Sequence, residues 1–578
     1  MSSSRWSGVA CLLLLFSWPV GAARPTCDRP ALRGSFLQPA LGDRWTSQQW
    51  QKEFSYMKGV GIDQMVLQWT ADSKNKTTIY PSGLAGYQQN TRHDVVQRAL
   101  ETADKKGAQI FLGLQVNDDW WTYYAGNGPW LKNEAKVANA LADDLWKRYQ
   151  SHPSLAGWYL SFEVDNVDVT KQKQWDRLIE FYKTTAGHLH QLTPGKPVII
   201  SPFFDADAGM TSAQWQAMWE YILAGAPLDV LALQDGVGVG HAKTKQLPEW
   251  FRATSNAIQH ARPKMQFWAD SETLTPDSHT MPIHQLVNDL RAEQPYVSNY
   301  LSFSFNHYLS PQQVNPLYYE TYRKYLATAK VESKDPSQPA ALQAVALDSM
   351  TISLNWDPAT DNLGVIGYKI WRDDKHVASL YGVETDFEDT SLEPDTTYTY
   401  QVAAFDAAGN VSALSDSASA TTPSGDPYVT NLALGRPYTT TLAADPNYPD
   451  TGGMELTDGV FAVVDYLDPA WQGRATGLTY SFTIDLGGVE ALKQIRTHWL
   501  QYRVAGIQFP AQVAYSVSDD GMNFTGVGTV VKPKRDKSNQ TVWYTITALN
   551  NVSSRYVKLD VTPPSEIWTF LDEAEVRQ

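Results

Sequence analysis

A chain of 578 residues is too long for one hydrophobic core, which implies about two to four domains. Its net charge of −15 comes without a basic stripe, and phosphate binding needs clustered positive charge, so nucleic acid is excluded as a partner. With 43% hydrophobic and 19% charged residues, disorder on a large scale is excluded as well.

Residues 1–23 read as a secretory signal. Arg5 supplies positive charge, Cys11 to Trp18 form a short apolar run, and Val20 to Ala23 give a small-residue cleavage region. The apolar run is too short to span a bilayer, and no later segment is long enough. Removal of the signal leaves Cys27 as the one cysteine, so no internal disulfide is expected. An exported protein is expected, periplasmic or extracellular, with no transmembrane segment and as a monomer.

From about Leu32 to Lys330, short apolar runs alternate with segments of helical spacing. The predicted strands are Gly34–Gln38, Gln64–Trp69, Gln109–Gln115, Gly157–Phe162, Val198–Pro202, Val230–Gln234, Met265–Ala269 and Tyr300–Phe305. Strands that alternate with helices pair in parallel through right-handed crossovers, and eight such units predict a closed (β/α)8 TIM barrel over residues 32–330. The run Asp235-Gly-Val-Gly-Val-Gly240 has the wrong spacing and position for a phosphate-binding loop and reads as an ordinary loop.

Val331 to Ala340 is a polar, proline-bearing linker. Beyond it helical periodicity disappears, and short alternating runs predict two all-β sandwiches over residues 341–422 and 429–578.

Active sites of such barrels gather at the C-terminal ends of the strands. In this chain those ends carry Gln38, Gln68, Trp69, Gln115, Asn117, Glu163, Asp205, Gln234, Asp235, Trp268, Glu272, Asn306 and His307. Amides, carboxylates and aromatic rings suit a polyhydroxylated substrate. There is no His/Cys/Asp set with zinc spacing and no Gly-x-Ser-x-Gly elbow. Glu163 ends Gly-Trp-Tyr-Leu-Ser-Phe-Glu on the fourth predicted strand, and Glu272 ends Gln-Phe-Trp-Ala-Asp-Ser-Glu on the seventh. Strands four and seven face each other across the barrel mouth. Two carboxyl groups there are what acid-assisted cleavage of a glycosidic bond requires. Trp158, Tyr159 and Phe162 give Glu163 an apolar setting, which marks it as acid/base and Glu272 as nucleophile or base. Retention of configuration would place the two groups about 5 Å apart. Trp120 and Trp121, in the loop Asn117–Tyr124, are a candidate sugar platform, and the long polar loop Thr70–Asn90 could wall a cleft. The competing readings are solvated or ion-paired glutamates and tryptophans packed in the core.

Acid/base on strand four with nucleophile on strand seven is the arrangement of the large retaining glycosidase superfamily, although Phe162 stands where that superfamily usually has asparagine. The stretches Gly157–Glu163 and Trp268–Glu272 make residues 32–329 similar to a bacterial barrel family of unknown function suspected of hydrolysing glycans. Leu354-Asn-Trp356, Gly367–Arg372, Leu392-Glu-Pro394 and Tyr398–Ala404 resemble a fibronectin type III domain, which implies a spacer or binding module. Asn431–Pro437, Leu456–Gly459, Phe482–Gly487, Tyr515–Gly521 and Trp568–Val576 resemble the discoidin domain, also called the coagulation factor five/eight type C domain. That resemblance implies glycan binding through loops, for which Trp471, Arg474, Tyr502 and Arg503 are the candidates. It also implies a structural calcium near Asp458 and Glu575. No cofactor is expected for catalysis. The combined expectation is an exported glycoside hydrolase on a polysaccharide, anchored by a glycan-binding module. The alternatives are a non-catalytic glycan-binding or adhesion protein and an exopolysaccharide assembly factor.

Overall fold

The computed structural model describes residues 29–390, 392–424, 430–450, 452–502, 505–532, 539–547, 549, 552–564 and 567–578. The expected secretory signal and Arg503 lie outside the described residues. Eight parallel strands follow one another in chain order: β1 Gly34–Leu37, β2 Gln64–Leu67, β3 Gln109–Gly113, β4 Leu155–Leu160, β5 Val198–Ile200, β6 Val230–Gln234, β7 Gln266–Glu272 and β8 Tyr300–Phe303. The last strand returns to the first, where the Arg33 N–H donates to the Tyr300 carbonyl at 2.9 Å and Ser302 Oγ donates to the Gly34 carbonyl at 3.0 Å. Gly34 allows close packing at this seam, because a Cβ would stand 2.3 Å from the Leu301 side chain and force it to move.

The helices between the strands are α1 Ser47–Gly59, α2 Val95–Lys106, α3 Gly128–Tyr149, α4 Gln172–Leu192, α5 Ser212–Gly225, α6 Leu247–Ala261, α7 Ile283–Glu293 and α8 Pro316–Thr328. Local sequence sets their starts. Thr46 and Gln49 form a reciprocal capping box on α1, Thr211 and Gln214 do the same on α5, and Asp94 accepts from the Gln97 N–H on α2. Gly107 ends α2 in the left-handed conformation at φ 70°.

Alternation along the strands makes two cores. Phe36, Val66, Phe111, Tyr159, Ile199, Trp268 and Leu301 point inward and fill the barrel. Their neighbours Met65, Ile110, Leu112, Trp158 and Leu160 point outward and pack under the helices.

Two antiparallel sandwiches follow. In the first, Trp356 is buried edge-on against Tyr368 at 5.2 Å, and the Tyr398 hydroxyl accepts the Glu393 N–H at 2.9 Å, which pins the corner of the domain. In the second, a five-stranded and a four-stranded sheet close over Phe482, Trp499, Phe509 and Leu559.

The first sandwich does not hang from a loose tether, which corrects the expectation of a linker and spacer. Glu332 in the connecting segment is buried and accepts from Asn362 Nδ2 at 3.0 Å and Asn410 Nδ2 at 2.7 Å. Ile366, Phe405 and Ala407 of the sandwich join the outer core of the barrel. Apolar burial therefore continues across the boundary and outweighs the polarity of the connecting segment. Among the described residues, no helix is long and apolar enough to cross a membrane.

Candidate active site

Glu163 lies three residues past the end of β4, and its backbone is fixed from two sides. The Trp120 indole N–H donates to the Glu163 carbonyl at 2.8 Å. The Trp120 ring stacks on Phe162 with centroids 5.1 Å apart and planes 5° from parallel. Ser161 Oγ donates to the Gln68 carbonyl at 3.0 Å and joins this turn to the end of β2. Burial pushes the Glu163 carboxyl up to about 7, a hydrogen bond from the Gln234 side chain opposes the rise, and the charges of Glu272 and Asp165 add to it. Glu163 and Glu272 are thus within electrostatic reach of one another.

Glu272 is the last residue of β7 and only 3% exposed. The loop after β6 covers it. The Val239 N–H donates to Glu272 Oε2 at 2.8 Å, and the Gly238 backbone contributes a second hydrogen bond. Gly238 permits this approach, because a Cβ there would stand 2.7 Å from the Leu274 carbonyl and 2.8 Å from Glu272 Cβ. Burial raises the Glu272 carboxyl to about 7, and the two backbone donors oppose the rise. These donors belong to the Gly-Val-Gly-Val-Gly run. Its glycine spacing was the one available signal that a backbone passes close to something here.

Behind Glu272 lie four further buried acids: Asp235, Asp270, Asp289 and Glu293. Their partners are hydroxyls and a backbone N–H. Ser271 Oγ donates to Glu293 at 2.8 Å, Ser201 Oγ to Asp270 at 2.9 Å, Thr244 to Asp289, and the Val237 N–H to Asp235 at 3.0 Å. The charge of Glu293 adds to the rise that burial imposes on the Asp235 carboxyl. Burial holds all four above the ordinary carboxyl range, Asp289 at about 7. Asp289 and Glu293 were legible as two acids four residues apart beside the apolar positions Leu286 and Leu290 of α7.

A cleft of about 380 Å³ opens at the ends of β2, β3 and β4. Gln68, Trp69, Asn117, Asp118, Trp121 and Glu163 line it, and Asp72, Thr77 and Asn90 from the long loop after β2 form its outer wall. Gln68 Oε1 is a buried acceptor with no protein partner, and Trp121 is 46% exposed, which leaves a flat apolar face open to a ligand. Glu272 is not among the residues lining this cleft.

Several expected site residues are placed elsewhere. Trp120 is 1% exposed and supports Glu163, so the paired platform reduces to Trp121. Trp268 belongs to the barrel interior, edge-on to Phe111 at 6.2 Å. Asn306 is fully buried and donates to Glu53 at 2.7 Å, on the side facing α1. Gln115 is buried and donates to the Glu134 carbonyl at 2.9 Å. Asp235 is fully buried and accepts the Val237 N–H at 3.0 Å. Gln38 starts a short helix at Pro39–Arg44 and is not part of the cleft lining. Asp205 is partly exposed and accepts the Asp207 N–H at 2.8 Å. His307 is partly buried against Phe303, and burial pulls its imidazole down to about 4.

In the second sandwich, Trp471 is 1% exposed, stacks on His498 and donates to the Val463 carbonyl at 3.0 Å. Arg474 is buried over the Phe482 ring and donates to the Leu442 carbonyl at 3.0 Å. Both are structural, which leaves Tyr502, partly exposed beside Tyr466, as the described binding candidate. The calcium expectation does not fit its donor set. Glu575 is buried with its charge already committed to Arg496 and Arg577, and Asp458 is at the surface, where it accepts the Val460 N–H at 2.8 Å. Among the described residues, no group of three or more His, Cys, Asp or Glu could hold a metal ion.

Comparison with known proteins gives the same three-part order. Residues 32–315 match the family described as a domain of unknown function (DUF4434), residues 337–421 the fibronectin type III domain, and residues 450–575 the F5/8 type C domain. The uncharacterized protein YbcH of Escherichia coli is 27% identical over 232 residues, which is 39% of this chain and 72% of that protein. Chitinase Chi52 of Paenibacillus xylanexedens is 41% identical over 98 residues, 17% of this chain and 18% of the chitinase. The chain spans at most 18% of the length of the first three curated relatives it matches. Among solved structures, a candidate alpha-L-fucosidase from Bacteroides thetaiotaomicron is 23% identical, with a TM-score of 0.45, covering 54% of this chain and 99% of that chain.

Proposed function

We propose that the protein is an exported glycoside hydrolase that cleaves a polysaccharide with retention of configuration, Glu163 acting as acid/base and Glu272 as nucleophile. The observation that carries this reading is the pair of buried carboxyls just past β4 and at the end of β7, the charge of Glu272 reaching Glu163, set in different surroundings. Glu163 opens to a cleft and is held protonated by burial, as a group that protonates a leaving oxygen must be. Glu272 receives two backbone donors, which stabilise the carboxylate that attacks the anomeric carbon. In the first step, the Glu163 proton passes to the glycosidic oxygen, the bond from that oxygen to the anomeric carbon breaks and the alcohol leaves, as the anomeric carbon bonds to Glu272. In the second, Glu163 takes a proton from water, whose oxygen displaces Glu272 from that carbon.

Trp121 supplies the stacking face and Gln68 polar lining for hydroxyls, whereas Asn117 is buried with its amide committed to Ser73, Glu134 and the Asp119 N–H. Tyr502 on the second sandwich would add glycan contact. Tethering raises local substrate concentration. The experiment is proton NMR of the first anomer released from a cleaved glycan. Retention supports the pair as assigned, and inversion overturns the nucleophilic role of Glu272.

A second reading, a glycan-binding protein without chemistry, draws on the 3% exposure of Glu272 and its exclusion from the cleft lining. It predicts glycan binding with no release of reducing ends.

A further inference from the structure

We infer that the fibronectin type III domain is a working part of the barrel site: it caps helix α7 and clamps the β7–α7 loop, and thereby fixes Glu272. The inference rests on the reading of Glu272 as a functional carboxyl, but its physical core is a docking relationship that can be measured separately.

The first turn of a helix leaves backbone N–H groups without intrahelical partners. Helix α7 begins after Pro282, which offers no side-chain cap. The caps come from the other domain. The Ile283 N–H donates to the Ala407 carbonyl at 3.1 Å, and the His284 N–H to the Ala408 carbonyl at 2.9 Å. Gly409 closes that turn at φ +104°, and a Cβ on it would stand 2.9 Å from Pro282. The helix capped in this way carries Asp289 and Glu293, the buried acids behind Glu272.

The loop before α7 is held by the same domain. His279 lies flat on Tyr381, with ring centroids 3.8 Å apart and planes 12° from parallel. Asp277 pairs with His279 at 3.1 Å on the barrel side. The loop doubles back on itself. Leu274 bridges Thr280, and the Met281 N–H donates to the Thr273 carbonyl at 2.9 Å. A hydrogen-bonded path therefore runs from the stacked His279 to Thr273, the residue after Glu272. Side chains hold catalytic geometry only when the elements beneath them are fixed, and here the fixing element is contributed from outside the barrel. Tyr381 and His279 are positioning residues.

The test uses the full chain with Tyr381→Ala, Tyr381→Phe and, from the barrel side, His279→Ala. Amide hydrogen exchange is read over 273–293, with 64–72 as the internal reference, and the Glu272 carboxyl is titrated by carbon-13 NMR with Glu272→Gln for assignment. Loss of the stack is expected to speed exchange over 273–293 about tenfold or more with 64–72 unchanged. Water reaching Glu272 is expected to lower its titration midpoint by about one pH unit. Tyr381→Phe, which keeps the ring, should restore both readings. Wild-type exchange over 273–293 in both alanine variants overturns the docking. Faster exchange with an unmoved Glu272 midpoint overturns the positioning. Absence of glycan hydrolysis by the wild type removes the glycosidase reading and leaves both measurements intact.

Discussion

The Val239 N–H donates to Glu272 Oε2 at 2.8 Å, so the loop that follows β6 supplies the donors for the carboxyl that ends β7. This contact exists because Gly238 carries no side chain. Gly238→Ala forces its methyl against Glu272 Cβ and the Leu274 carbonyl. Overpacking of this kind costs about 1–3 kcal/mol. The expected result is a lower melting temperature together with a fall in kcat of roughly 10²-fold, in the range for a lost electrostatic donor. An active, wild-type-like variant would show that the loop does not set Glu272.

Activity should follow a narrow bell in pH. Glu163 must be protonated and Glu272 ionised, and burial brings both carboxyls to about 7. As pH rises above 7, Glu163 loses its proton and kcat/KM falls about tenfold per unit. As pH falls below 7, Glu272 is protonated and the rate falls again. The charge of Asp289 also acts on Glu272, so Asp289→Asn should move the acid limb and leave the alkaline limb in place.

Stability should change with pH in one direction. Glu163, Asp235, Asp270, Glu272, Asp289 and Glu293 all hold protons more tightly folded than unfolded. Their contribution is fully present below the ordinary carboxyl range, near pH 4, and is lost as pH rises through the raised folded values, about 7 for Glu163, Glu272 and Asp289. The melting temperature should therefore be higher at pH 5 than at pH 8. Glu293→Gln, which keeps a neutral group of the same shape, should flatten that dependence, as followed by thermal unfolding.

The neighbouring tryptophans should separate cleanly. Trp121→Ala removes an exposed ring and is expected to raise KM with kcat unchanged, by the roughly 0.5–1.5 kcal/mol of an aromatic contact. Trp120→Ala removes a buried ring that holds the Glu163 carbonyl, and is expected to cost about 3–5 kcal/mol of stability. Steady-state kinetics and denaturant unfolding on the two variants check both.

The barrel was legible because strand residues alternate between two apolar faces. Phe111 between Ile110 and Leu112 shows why the runs read as continuous hydrophobic strands. Glu163 and Glu272 were legible as carboxylates at strand ends. What the sequence did not reveal depends on contacts between distant segments. Nothing local distinguishes Trp120 from Trp121, because their difference in burial comes from Phe162, forty residues away. The support of Glu272 by Gly238 and Val239 needs the loop path in three dimensions. Trp471 and Arg474 were candidates through the discoidin resemblance, and only three-dimensional contacts, Trp471 on His498 and Arg474 on the Phe482 ring and the Leu442 carbonyl, show them as structural. The docking of the fibronectin domain was hidden by the polarity of the connecting segment, in which Glu332 is satisfied by Asn362 and Asn410.

The most direct measurement is release of reducing ends from a panel of polysaccharides by the wild type, Glu163→Gln and Glu272→Gln, each checked for folding by thermal unfolding. The account predicts turnover by the wild type on at least one glycan and a loss of about 10²–10⁴-fold or more in each folded variant. Binding without turnover by the wild type, or turnover that survives either substitution, would contradict it.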